Sequence, residues 1–203
     1  KTNKKIINEG VEATAAETCF PVKVAHGHIL NLIEKGIAHI FLPSIVSLSP
    51  VHPQSREGSA CPYVQAIPYT IGAALDFKKR GIKCIHPVIH MKDGRKRTEQ
   101  ELCALRHELG ARPREIKQAL NEAYQAQELF SAACKKRGAE ILGALRTDQT
   151  AMVIISRPYN GCDAGVNLQV PQKLRDLGVL AIPMDFLPIE GSLSREEQGQ
   201  TCW

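Results

Sequence analysis

Two cysteines stand just ahead of prolines, in Cys19-Phe20-Pro21 and Cys61-Pro62. Proline suits the first turn of a helix, where its missing N–H costs nothing and its φ is already helical, so each thiol is placed at a helix start. Unpaired N–H groups and partial positive charge at that position favour a thiolate, the form that binds metal or attacks an electrophile. The spacing, 61 − 19 = 42 residues, is too wide for a zinc knuckle but suits ligands delivered by successive βα turns of one lobe. On spacing alone, shared metal or cluster ligation and burial as two small apolar residues both stay open. Cys103 and Cys134 fall inside helical patterns and read as packing residues. His26 and His28 lie two apart on a helix, where side chains diverge by about 200° and cannot grip one metal. One of them lining a pocket is the functional reading, and a helix histidine bonded to backbone is the structural one. His39, His86 and His90 read as structural.

A third constellation is Arg157-Pro158-Tyr159-Asn160, directly after the apolar run Ala151–Ile155. In open α/β sheets the loop at a strand's carboxyl end faces the ligand crevice, so Arg157 is placed to hold an anion there. A salt bridge between packed lobes is the competing role. Asp163 reads as a helix cap. The sequence has no Walker loop, no Gly-x-Gly-x-x-Gly and no Gly-x-Ser-x-Gly, so nucleotide hydrolysis and serine-esterase chemistry lack local support.

The elements that must carry these residues alternate between helix and short apolar strand. Val22, Ile29, Leu32 and Ile33 recur at helical spacing from about Pro21 to Lys35, with Gly36 as the stop, and Ile37–Leu42 reads as a buried strand. Residues 43–60 read as a long irregular loop. A helix is expected from Pro62 to Arg80, broken or kinked at Pro68, followed by a strand over Ile82–Ile89. Residues 98–146 read as helical, with Pro113 at a helix start. Ala151–Ile155 has the continuous apolar character of a central parallel strand, a helix starts near Pro171, and Val179–Pro183 is the next strand. The tail from Pro188 is polar.

At 203 residues, with 43% hydrophobic and 23% charged side chains, the chain is large enough for a core and unlike a disordered or fibrous protein. No apolar stretch approaches the roughly 20 residues that span a bilayer. The chain opens at Lys1 without Met or an apolar leader, and reads as a segment of something longer. Seven cysteines, an odd number without regular spacing, point to a reducing cytoplasm. The densest basic stretch, Lys78 to Arg97, contains no interleaved aromatic to stack bases, so nucleic acid is a weak third reading.

The strings Glu17-Thr18-Cys19-Phe20-Pro21-Val22-Lys23-Val24-Ala25-His26-Gly27-His28-Ile29, Cys61-Pro62-Tyr63-Val64-Gln65, and Arg157-Pro158-Tyr159-Asn160 through Asp185-Phe186-Leu187 resemble the uncharacterised domain of acyl-CoA dehydratase activase-related proteins. The resemblance runs over most of residues 3–190. It departs from the family pattern at Ser156, where glycine is usual, and at Cys162 in the following loop. The domain looks like the cluster-bearing subunits of 2-hydroxyacyl-CoA dehydratases and benzoyl-CoA reductases, which hold a [4Fe–4S] cluster between two α/β lobes and receive an electron from an ATP-hydrolysing activator.

That resemblance implies Cys19 and Cys61 as cluster ligands, with a third cysteine farther along, for which Cys162 and Cys202 are fallback candidates. It also implies that His26, His28, Gln65, Arg157 and Asn160 line the cofactor site. The expected fold is α/β, with two Rossmann- or flavodoxin-like parallel-sheet lobes: a first lobe over 1–97, a helical connector over 98–147, and the start of a second lobe over 148–203. The expected function is an iron–sulfur electron-transfer or low-potential reductase component. Its expected partners are an ATPase activator domain in the same or another chain and an acyl-CoA. The alternative is a non-catalytic interaction or CoA-binding module without a complete cluster.

Overall fold

The computed structural model describes residues 1–49 and 58–187. Helix α1 (Lys4–Ala13) starts where Asn3 accepts a hydrogen bond from the Ile6 amide at 3.0 Å. It lies against α2 (Phe20–Glu34) through two glycines. A Cβ on Gly27 would stand 1.8 Å from the Ile6 carbonyl oxygen, and one on Gly10 would stand 2.2 Å from that of Lys23. The two backbones therefore touch, and no side chain fits between them at this crossing.

After α2 come β1 (His39–Phe41) and β2 (Ser44–Ser47), then α3 (Pro62–Leu75), β3 (Lys83–Ile85) and β4 (Val88–His90). β1 pairs parallel with β3, and β2 with β4. Phe41 faces Ile85 and Ser44 faces Val88, so one register runs across the gap and sets Pro43 opposite Pro87. One parallel ribbon has thus been split into two short pairs by a proline in each strand. The register slips by a residue only at Ile45–Ser47. Ile29 of α2, Ile40 of β1, and Ile71 and Leu75 of α3 form the buried core of this part.

Three expectations need correction here. Part of the segment read as a loop over 43–60 is strand β2, whose sheet-facing ends Ser44 and Ser47 hide the usual apolar pattern. Helix α3 runs through Pro68, which is buried, and stops at Asp76 in a left-handed conformation (φ 45°), short of Arg80. The strand expected over 82–89 is two strands, because Pro87 has no N–H to donate to the ladder.

The charged central region forms α4 (Arg95–Ala104), α5 (Arg106–Leu109) and the long α6 (Pro113–Gly143). Gly110 takes a left-handed φ of 64° to end α5, and Pro113 opens α6 as its position predicts. The Arg95 guanidinium lies 4.5 Å from the Tyr124 ring centroid, joining α4 to α6. Gly138 of α6 carries the turn at Met184–Phe186: a Cβ there would stand 1.7 Å from the Phe186 carbonyl oxygen.

Strand β5 (Ala151–Ile154) pairs parallel with β6 (Leu180–Pro183), and α7 (Pro158–Cys162) and α8 (Val170–Asp176) lie between them in sequence. β5 is not buried as a central strand would be. Met152, Val153 and Ile155 are exposed, and among the described residues β6 is its sole partner. The fold class is therefore mixed α/β, with eight α-helices and parallel strand pairs among the described residues. Each parallel ribbon there is two strands wide, narrower than the sheet of a Rossmann- or flavodoxin-like lobe.

Candidate functional site

Three helices begin in the same way. Cys19 is the N-cap of α2, Cys61 of α3 and Arg157 of α7, and each is followed by proline at the first or second helical position. None of the three side chains caps its own helix. Proline satisfies part of the need for a cap, which leaves the cap residue's side chain uncommitted.

Tyr159 in the first turn of α7 connects the three starts. Burial pushes its hydroxyl above the ordinary tyrosine value, the Arg157 guanidinium pulls it down, and the Cys19 and Cys61 thiols, when ionised, push it up again. Both thiols and the guanidinium are thus electrostatic neighbours of one phenol. Cys19 is exposed and Cys61 partly buried. Among the described residues Arg157 forms no ion pair, and the salt-bridge role considered for it has no partner there.

Beside Tyr159 lies a cavity of about 230 Å³ between α2, α3 and the segment after α7. Val22, Ala25, Val64, Ile67 and Val166 make its wall apolar. Its polar side is a hydrogen-bonded chain. The Thr2 hydroxyl donates to Asp163 Oδ2 at 2.7 Å and lies 2.9 Å from His28 Nε2. Asp163 Oδ1 accepts the amides of Gly165 and Val166 at 2.8 and 3.2 Å. Asp163 is therefore a cap of the turn at 163–166 and also the anchor of this chain. A second, open cavity is lined by Phe20, Pro21, Asn160, Val166, Asn167 and Leu168.

The residues singled out from sequence thus divide. His28 and Asn160 line cavities next to the helix starts. His26 lines neither of these cavities: it is 2% exposed, and its Nδ1 donates to the Val22 carbonyl at 2.8 Å. Gln65 also turns away, its amide donating to the Ala60 carbonyl at 2.7 Å while its own backbone carbonyl accepts from Ser44 Oγ at 2.7 Å. It fastens the turn before α3 to β2. Burial, then Asp185 and Cys134, push the Cys162 thiol up, so its charge neighbours differ from those of Tyr159. Cys202 lies outside the described residues. Among the described residues no group of three metal-ligating side chains assembles.

Sequence reasoning missed α1 and Thr2. The signal for the helix was present, in the cap Asn3 and the spacing of Ile6 and Gly10, but a hydrogen bond spanning Thr2 to Asp163 has no local signature.

These features define a small α/β domain that gathers two thiols, a phenol and an arginine at three helix starts, next to an apolar cavity. The chain belongs to the CoA enzyme activase uncharacterised domain family, whose pattern it matches over residues 1–187 of its 203. No curated protein and no solved structure matches it. Among the described residues no helix is long and apolar enough to cross a membrane.

Proposed function

We propose that this chain is the thiolate-bearing component of an iron–sulfur electron-transfer system in the cytoplasm, driven by an ATP-hydrolysing activator and acting on an acyl-CoA. The observation that carries the reading is the pair of uncommitted thiols at the starts of α2 and α3, both electrostatic neighbours of Tyr159. As a donor set they fit half of a cluster site. Thiolates are the ligands iron–sulfur clusters take, a [4Fe–4S] cluster takes four, and two more would have to come from a partner or from outside the described residues. A cluster, when bound, supplies one-electron transfer at a potential tuned by charge, hydrogen bonds and exposure. The chain's own contribution is to hold Cys19 and Cys61 and to offset negative charge with the first-turn N–H groups of α2 and α3. Arg157 offers a planar fork for a phosphate of CoA, a geometry lysine lacks.

Anaerobic incubation with ferrous iron and sulfide tests the reading. The protein is expected to retain iron, with oxygen-labile brown absorbance that falls in Cys19→Ser and Cys61→Ser. Undiminished iron in both variants removes the pair as ligands. No iron retention even with the activator present leaves the non-catalytic CoA-binding module as the better account. Calorimetry with CoA then tests Arg157: loss of one charge-assisted contact in Arg157→Ala is expected to cost about 1.5–3 kcal/mol.

A further inference from the structure

We infer that the cavity between α2, α3 and the turn at 163–166 is a binding site for a neutral, ring-sized apolar molecule with one hydroxyl, which donates a hydrogen bond to His28 Nδ1. The steps rest on geometry that involves neither iron nor CoA, so this site stands or falls separately from the function proposed above.

The tautomer of His28 follows from the relay. Thr2 has a single hydroxyl proton, and the structure directs it to Asp163 Oδ2. Toward His28 the Thr2 oxygen is therefore an acceptor, so Nε2 carries a proton, and in the tautomer with a single ring proton Nδ1 is a bare lone pair. Among the described residues nothing bonds to that nitrogen, in contrast to Nδ1 of His26, which the Val22 carbonyl occupies. The relay is held tightly. A Cβ on Gly165 would stand 2.4 Å from Thr2 Cγ2, so only glycine lets Thr2 lie this close to the turn that presents Asp163.

Size and charge select the ligand class. A cavity of about 150 Å³ is enough for benzene when its wall is apolar, and this one is about 230 Å³. The lining contains one carboxylate and no lysine or arginine. Each oxygen of that carboxylate already accepts, Oδ2 from Thr2 and Oδ1 from two amides, so its charge is partly met by the protein's own donors. An anionic ligand would meet this charge without a lining cation to offset it. His28 Nδ1 is the lining acceptor to which no described group donates, and the half-exposed ring of Tyr159 adds an aromatic face to the wall.

The test uses the iron-free protein, phenol as the probe, and anisole and benzoate as controls. Binding is followed by heteronuclear NMR, with ¹⁵N-labelled histidine reporting the tautomer. Phenol is expected to shift the signals of Val22, Ala25, Ile67 and His28, and to bind about three- to tenfold more tightly than anisole, the value of one net hydrogen bond. Benzoate is expected to bind more weakly than either. Thr2→Val removes the relay while keeping the side chain's shape, and is expected to erase the preference for phenol over anisole. Ala25→Leu fills the cavity and is expected to abolish both shifts, with unfolding curves confirming that each variant is folded. Equal binding of phenol and anisole to the unaltered protein overturns the inference, as does benzoate binding as tightly as phenol. So does the lack of any shift at the cavity, or binding that survives Ala25→Leu in a folded protein.

Discussion

Gly27→Ala adds one methyl group at the point where α1 and α2 touch. Its carbon would stand 1.8 Å from the Ile6 carbonyl oxygen and 2.8 Å from the Ile6 carbonyl carbon, both backbone atoms that no rotamer change can move. A carbon and a carbonyl oxygen approach to about 3.3 Å, so α1 must retreat by roughly 1.5 Å. That retreat uncovers Ile6, now 3% exposed, whose burial contributes about 1.5–3 kcal/mol. Overpacking of a close contact costs about 1–3 kcal/mol, and relief of one penalty incurs the other, so we expect a loss of about 2–3 kcal/mol rather than their total. Gly143→Ala is the control. It lies in the last turn of α6 with nothing within 4 Å of a Cβ, and alanine there is expected to gain up to about 0.5–1 kcal/mol. Urea unfolding at neutral pH measures both. Because Thr2 precedes α1, the retreat should also pull the hydroxyl away from His28, so the phenol preference should fall with the stability. A Gly27→Ala protein within about 0.5 kcal/mol of the unaltered chain, with its relay intact, would refute the backbone contact.

Three further outcomes are expected. Cys19→Ser combined with Cys61→Ser should lower the ionisation pH of Tyr159, since the thiolates push it up; ultraviolet titration of this variant with and without Tyr159→Phe isolates the one phenol, and an unmoved curve would separate the thiols from Tyr159. Burial pushes the Glu101 carboxyl up, but the His90 amide and imidazole and the Arg97 guanidinium outweigh it and hold the group below the ordinary carboxylate value. Its stabilisation is therefore complete above the unfolded value of about 4.3 and lost as pH falls through the lower folded value, so denaturant midpoints should decline over that acid range and decline less in Glu101→Gln. Gly138→Ala should cost about 1–3 kcal/mol, because the added carbon would meet the Phe186 carbonyl oxygen at 1.7 Å; an unchanged thermal midpoint would argue against that packing.

Helix starts were legible in the sequence where proline marks them. Pro21, Pro62 and Pro113 all open helices as read, because a residue without an N–H is least costly where no intrahelical bond is due, and Pro158, read within a loop, opens a short one as well. Apart from β2, whose terminal serines left it in a segment read as a loop, the parallel strands were legible as apolar runs, but their lengths were not. Pro43 and Pro87 cut one ribbon into two pairs, and an apolar pattern cannot say whether a neighbouring strand will cover Met152, Val153 and Ile155. The thiols could be chosen from the sequence and placed at helix starts, whereas Arg157, read in the loop after a strand, turns out to be the N-cap of α7. The partners of the remaining candidates could not be read in this way. His26 and His28 are two residues apart in the same helix, yet one is sealed by its own backbone and the other is bonded to a threonine at the opposite end of the chain's first helix. Burial and long-range hydrogen bonding decide between them, and neither leaves a trace in local spacing.

The facing prolines of the split ribbon differ in what they remove. The Leu42 and Ser44 amides donate inward, to Ile85 and Pro87, so the intervening residue of that strand would direct its N–H outward. Pro43 thus takes a donor from the outer edge while the inner ladder loses nothing there. Pro87 does the reverse, because Lys83 donates inward to Ala38 and every second residue after it shares that direction, so the missing donor falls between the strands. Farther along, after the slip at Ile45–Ser47, the outer edge of β2 is already taken: Leu48 donates to the Gly58 carbonyl and Ala60 to that of Val46. A foreign strand approaching this edge would meet a gap in the donors at one end and an occupied stretch at the other, which is how a narrow ribbon resists polymerising edge to edge.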